Sequence, residues 1–201
     1  MHLAAGVYSS VNTPDPSLPP ATSRSLLLWE TWAIPYPELT MPPNSLHIRP
    51  AIPADSPRLI PHINAAFAAA EPFMTGPRTD PERLAASMEK GTLLLAEEES
   101  GQLLASVYVE VRGERGYLGM LAVAPTLQRS GIGRRMMQAA EDHLRAAGCM
   151  AIDITVLSLR TELPPVYRAY GFVETGTEPF VYPHPLKDGL QTHCIVMSKP
   201  L

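Results

Sequence analysis

Cysteine is scarce in this chain: Cys149 and Cys194 are the only two in 201 residues. That excludes a disulfide framework, and nothing places the pair in a metal-type cluster, so they read as buried thiols of a reducing compartment and no metal is expected. Long apolar runs are lacking too. None approaches the roughly 18 residues that span a bilayer, and Leu26-Leu27-Leu28-Trp29 is short and has no basic segment before it, as a signal peptide would require. A strong charge of either sign is also missing. The net charge of −4 makes no electrostatic case for nucleic acid, and no strongly acidic stretch suits a lysine-rich protein partner. The expectation is a cytoplasmic protein, monomer or homodimer, with neither nucleic acid nor membrane as partner.

Proline is plentiful but uneven: eleven of the 22 fall within residues 1–57. Proline removes backbone donors and fixes φ, and this stretch has no sustained periodicity, so residues 1–45 read as a disordered extension. A transit peptide fits it poorly, since Arg24 is its one strong base beside Asp15, Glu30 and Glu38. Residues 46–201 are long enough for one domain with a sizeable core.

Within that domain, Leu46–Arg49 is extended. Asp55 is placed to cap a helix carrying Leu59, Ile63, Ala66 and Phe67 on one face. Asp80-Pro81-Glu82 opens a second helix, with Leu84 and Met88 inward and Gly91 after its end. Thr92–Glu97, Leu103–Val111 and Tyr117–Val123 then read as an antiparallel meander. A helix after Gly131 carries Ile132, Met136, Ala140 and Leu144 at four-residue intervals and ends at Gly148, before a strand at Ala151–Leu157. Strand, helix and strand make a βαβ unit, so the strands flanking that helix should run parallel. Pro164-Pro165 starts a short helix over Val166–Tyr170. Strands around Phe172–Thr175 and His193–Ser198 follow, separated by a proline-rich loop.

The densest chemistry lies in Gly119–Gly133. A buried strand leads through Pro125 into Gln-x-x-Gly-x-Gly at a helix start, where amides without partners sit at the positive end of the helix dipole. Gly131 and Gly133 let the main chain approach an anion without a Cβ in the way. The dinucleotide fingerprint does not fit, because Met136 stands where its third glycine would be, and a P-loop does not fit, because Arg134 and Arg135 follow Gly133. On these residues alone, an anion site and a bland helix start both remain open.

Three pieces in order resolve that choice: Leu121-Ala122-Val123, the loop Gln128-Arg129-Ser130-Gly131-Ile132-Gly133, and Tyr167-Arg168-Ala169-Tyr170-Gly171-Phe172. Together they resemble the GCN5-related N-acetyltransferase (GNAT) superfamily, over about Leu46 to Leu201. The resemblance implies a mixed α/β fold whose central sheet has splayed parallel strands and flanking helices. It implies acetyl-CoA as cosubstrate, with the pyrophosphate on amides from Arg129 to Arg134, and the pantetheine along the main chain of Leu121, Ala122 and Val123. It implies acetyl transfer to a primary amine, here expected on a small molecule, in a ternary complex. Tyr167 matches the family's general acid: a phenol of ordinary pKa about 10 can protonate a thiolate whose conjugate acid lies around 8.5–10. Tyr170 reads as structural.

Two positions depart from the family's pattern. Many relatives carry asparagine seven residues before the tyrosine, where this chain has Arg160. Relatives with a carboxylate base often place it where this chain has Tyr117. Glu110 and Glu162 are the candidate bases, acting through water. Phe73, Arg160, Glu162 and His193 are expected at the acceptor, within or beside the loops Phe73–Arg78, Arg160–Glu162 and Phe180–His184. The competing classes are a binding module that holds acetyl-CoA without turnover, and an acyltransferase using another acyl group or an oxygen acceptor.

Overall fold

The computed structural model describes residues 46–68, 73–181, 186–187 and 189–201. The extension expected at 1–45 lies outside them, as does part of the proline-rich loop, including His184. Strands His47–Pro50 (β1), Thr92–Glu97 (β2), Leu103–Arg112 (β3), Arg115–Val123 (β4), Ala151–Leu157 (β5), Val173–Pro179 (β6) and His193–Pro200 (β7) form one sheet, in the order β1-β2-β3-β4-β5-β7-β6. Neighbours are antiparallel except β4 and β5, which are parallel as the βαβ reading requires. Helices Ser56–Ala66 (α1), Pro81–Lys90 (α2), Ile132–Ala146 (α3) and Leu163–Ala169 (α4) complete the mixed α/β fold.

Strand alternation assigns the two faces. On β2, Leu94 and Ala96 join the core under α3, whereas Leu93 and Leu95 join a second core under α1 and α2. On β3, Val107 and Val109 face α3 while Tyr108 is buried toward α1. This strand is covered on both faces because helices lie on both sides of it. Phe172 is 1% exposed in the α3-side core and meets Tyr167 edge-on, ring centroids 5.9 Å apart. Truncating such a ring costs about 3–5 kcal/mol, so Phe172 both anchors the core and backs Tyr167.

One local expectation needs correction. Asp80 caps α2 as expected, accepting the Arg83 N–H at 2.9 Å. Asp55 does not cap α1 with its side chain. A 3-10 turn over Pro53–Asp55 leaves it with helical φ/ψ, whereas a capping residue needs an extended backbone. Its carboxylate instead accepts from the Ile52 N–H (2.8 Å), from Arg49 (2.8 and 3.0 Å) and from Arg58. With Glu97, which also pairs with Arg49 and Arg58, this knot ties β1, α1 and β2 together. The Arg49 guanidinium, with Ile52 and Arg58 assisting, holds the Asp55 carboxyl well below the usual carboxylate range. Gly91 is not a left-handed terminator: its φ is −155°, and a Cβ there would sit 2.3 Å from the Val109 carbonyl oxygen. Close approach of β3 explains that glycine.

Candidate active site

The β4–β5 ladder has rungs at Arg115–Ala151, Gly116–Ile152 and Tyr117–Asp153 and then stops, although β4 runs on to Val123. The cause lies on the other side of β4. Between the pairs Tyr108–Gly119 and Ser106–Ala122, β3 contributes Val107 alone while β4 contributes both Met120 and Leu121. This is a bulge, which bends the strand carrying the extra residue. Met120 adopts φ +46°, a left-handed conformation that a residue with a Cβ rarely takes. Beyond the bulge, the Ala124 N–H donates to the Leu104 carbonyl at 2.9 Å and Ala122 pairs with Ser106. Backbone groups of alternate residues point to opposite sides of a strand, so those of Leu121 and Val123 face the gap toward β5. No strand partner meets them among the described residues. Ala122 turns away: its side chain is fully buried toward α1, and His62 Nε2 lies 3.4 Å from its carbonyl oxygen.

After β4 the 3-10 turn Pro125–Leu127 leads to Gln128, which lines the gap. The Ser130 amide and hydroxyl both donate to the Leu127 carbonyl (3.3 and 2.6 Å), closing the turn. Arg129 (φ +68°) and Gly131 (φ +88°) then swing the chain into α3. Gly131 at the N-cap has no side chain to cap this helix, and the first intrahelical bond runs from the Arg135 N–H to the Gly131 carbonyl (3.2 Å). The amides of Ile132, Gly133 and Arg134 therefore lack intrahelical acceptors and can bind an anion. A Cβ on Gly131 would meet nothing within 4 Å. Its left-handed φ, rather than protein crowding, is what calls for glycine there. Ile132 buries its side chain in the core and offers only its amide.

The gap opens into a cleft of about 1150 Å³. Tyr167, on α4, lines it; burial pushes its hydroxyl up to about 12, and no hydrogen-bond partner meets that hydroxyl among the described residues. Arg160 lines the same wall, with its Nε tied to the exposed carboxylate of Glu162 at 2.5 Å. It is close enough to Tyr167 to favour the phenolate electrostatically, against the larger effect of burial. Tyr170, expected to be structural, packs on the α3-side core and also reaches the cleft, with the Arg134 guanidinium 5.8 Å above its ring.

The other predicted residues divide. Glu110 does not line the cleft. It accepts from the Tyr108 hydroxyl and from Arg112, both at 2.9 Å, and Arg112 holds it below the usual carboxylate range. Glu162 also stays outside the wall, and Arg160 depresses it in the same way. His193 is exposed at the start of β7; Cys194, Val196 and Ser198 line the cleft, so the pleat turns His193 to the opposite face. Phe73 lies behind the wall, its carbonyl accepting the Lys187 N–H at 3.0 Å, while Met74 lines the cleft and bridges to Leu186. That bridge joins the loop after α1 to the loop before β7.

Wall residues to which the sequence gave no role at the site include Phe67, Arg112 and Thr155, while Arg78 closes the expected Phe73–Arg78 loop. Tyr117 was visible as the occupant of the usual carboxylate position. Its hydroxyl lies 3.1 Å from Thr155 Oγ1 across the diverging strands, and Arg112 stacks 3.9 Å over its ring. Gly119 leaves the space: a Cβ there would sit 3.0 Å from the Tyr117 ring and 3.2 Å from its hydroxyl. The Arg78 guanidinium lies 4.9 Å over the Phe67 ring.

Comparison with known proteins agrees with this geometry. Residues 68–182, more than half of the chain, match the family model described as an acetyltransferase (GNAT) domain. The mycothiol acetyltransferase of Propionibacterium freudenreichii is 31% identical over 90 residues, which are 43% of this chain and 29% of that protein. The IAA acetyltransferase of Azospirillum brasilense is 29% identical over 96 residues, 48% of this chain and 58% of that protein. The chain thus spans under two thirds of either relative's length. A solved GNAT family acetyltransferase from Elizabethkingia anophelis, with acetyl-CoA bound, shares the fold at TM-score 0.60 and 19% identity, covering 79% of this chain and 99% of that one.

Proposed function

The chain belongs to the GNAT acetyltransferase family, and on that premise we propose that it moves the acetyl group of acetyl-CoA to an amine by direct attack in a ternary complex. The observation that carries this reading is the broken β4–β5 ladder, which presents main-chain groups with no strand partner among the described residues to a cleft that Tyr167 also lines. The pyrophosphate takes the amides of Ile132, Gly133 and Arg134, where the helix dipole favours negative charge. The pantetheine amides pair with Leu121 and Val123 as an added strand would. The relative from Elizabethkingia binds acetyl-CoA in the same fold.

The acceptor nitrogen attacks the thioester carbonyl, and a main-chain N–H near Leu121–Val123 stabilises the oxyanion. The C–N bond forms, the C–S bond breaks, and the departing sulfur takes the Tyr167 phenolic proton. The proton lost by the acceptor nitrogen passes to solvent, from which the phenolate is reprotonated. A phenol at about 12 looks too weak an acid for an ordinary thiolate. The same desolvation raises the proton affinity of a thiolate in the cleft, so donor and acceptor rise together. Glu110 and Glu162 lie off the wall, ion-paired and depressed, so the acceptor amine loses its first proton to water.

The acceptor is a small molecule. Supporting this, the loop after α1 and the loop before β7 are joined at Met74 and Leu186, and Met74 and Phe180 both line the cleft. The test is thiol release from acetyl-CoA by the purified protein across a library of amines. Release that depends on an added amine, with the acetylated amine detected by mass, supports transfer. A thermal shift with acetyl-CoA but no release with any amine would instead make the protein a binding module.

A further inference from the structure

The chain carries a net charge of −4, yet arginines outnumber carboxylates along the wall of its cleft. Four arginines line the wall: Arg78, Arg112, Arg115 and Arg160. The carboxylates that pair with two of them, Glu110 with Arg112 and Glu162 with Arg160, stand outside the wall, so of each pair it is the arginine that lines the cleft. Asp153 and Glu178 do line the cleft, but Asp153 already accepts from Arg115 (2.6 Å at Nε) and Ser198 (2.5 Å).

These arginines are poorly placed for the phosphates of the donor. Arg112 stacks on Tyr117, at the last rung of the parallel ladder, while the anion-binding amides follow the far end of β4, beyond Val123. Tyr117 and Val123 pair with Glu110 and Ala105, five residues apart on β3, and at 3.3 Å per residue are about 17 Å apart.

We propose that the acceptor bears a carboxylate, and that Arg78 and Arg112 bind it beside Tyr117 while its amine faces the thioester. The proposal rests on the acetyl-transfer reading above. Two features fit it. A guanidinium presents parallel donors that match a carboxylate, and both arginines are held in orientation by an aromatic face, Arg112 on Tyr117 and Arg78 on Phe67. Burial disfavours the charged form of Arg78, and the Tyr117 phenol works against that shift; an incoming carboxylate offsets the same cost. A polyamine or lysine side chain would instead bring an ammonium against guanidinium groups. Phe67 and Met74 offer an apolar surface for the acceptor's body.

The experiment uses the full chain, acetyl-CoA and matched acceptors: phenylalanine against phenylalaninamide, 4-aminobenzoate against its ethyl ester, and spermidine and a lysine-rich peptide as cationic controls. Each acid should exceed its neutral partner by about 10- to 100-fold in kcat/KM. For phenylalanine the acid has the more basic amine, so intrinsic availability of the free amine favours the amide and runs against the prediction. Arg112→Gln and Arg78→Gln should each raise KM for the acid about tenfold or more, and by a clearly larger factor than for the neutral partner. Arg112 is half-exposed, so its variant keeps the test valid if Arg78→Gln fails to fold. Equal rates for acid and neutral partner, preference for the cationic controls, or equal losses for both acceptors in the variants would overturn the carboxylate assignment and leave acetyl transfer standing. No thiol release with any acceptor would overturn both.

Discussion

The two ends of the cleft are built from different materials. At the Val123 end the proposed binding groups are main-chain: the gap-facing atoms of Leu121 and Val123, and the first amides of α3. They are positioned by one bulge and two left-handed residues, Arg129 and Gly131, all within a short stretch of chain. At the Tyr117 end the groups are side chains from well-separated places: Arg78 after α1, Arg112 at the end of β3, Thr155 on β5, Arg160 before α4. A backbone site constrains conformation and tolerates many side chains; a side-chain site constrains identity at scattered positions. This is why one fold can keep a common donor while its acceptors differ.

The largest effect that would test this contrast falls between the two ends. Tyr167→Phe keeps the ring against Phe172 and removes only the hydroxyl, so turnover should fall about 10²–10⁴-fold with acetyl-CoA affinity unchanged. Wild-type activity with a known acceptor would remove Tyr167 as donor and leave water in the role. Next is Gly131→Asp. Acetyl-CoA at a hundredfold excess over Kd should stabilise the wild type by about 2.7 kcal/mol. The substitution sets a strained φ and a negative charge beside the amides and should abolish that shift, while acceptor-end variants such as Arg112→Gln leave it intact. If Arg112→Gln removed it too, the two ends would not be independent.

A smaller effect concerns pH. Because burial raises the phenol to about 12, the donor form of Tyr167 persists well above the ordinary tyrosine range and is lost only as pH rises through that value. With a fixed acceptor, kcat should therefore show no decline from pH 8.5 to 10.5. A fall centred near pH 10 that disappears in Tyr167→Phe would show that the hydroxyl is more solvated than its place against Phe172 allows. The smallest effect is Glu162→Gln. The carboxylate is exposed, depressed by Arg160 and outside the wall, so kcat should stay within about threefold of wild type. A loss of a hundredfold or more would restore Glu162 as the base.

Legibility in the sequence followed the same division. β5 runs over Ala151–Leu157 as its alternation predicts, α3 follows Gly131, and Asp80 caps α2, because each depends on residues within a few positions of one another. Asp55 was misread, and the need for glycine at position 91 was not visible, for the opposite reason. Asp55 is drawn to Arg49, across from β1, and Gly91 answers to Val109 on β3, partners that local spacing does not reveal. At the site, Tyr167 and the glycine loop stand in a recognisable order, whereas Glu110, Glu162, Phe73 and His193 were chosen by nearness to motifs and turn out to lie off the wall. For His193 the pleat decides, since a shift of one residue along β7 exchanges cleft for solvent.

By itself, the sequence determined the order of elements, the parallel crossover around α3 and the glycine-marked helix start. All of these follow from periodicity, turn chemistry and the right-handed connection, which act over short distances along the chain. The tertiary structure alone decided where β4 leaves β5, that Tyr117 spans to Thr155 at the parting, and that arginines from separate segments share one wall while Glu110 and Glu162 stay outside it. Those outcomes depend on register and on which side chain meets which across the sheet, and only the packed chain fixes register where a bulge has shifted it.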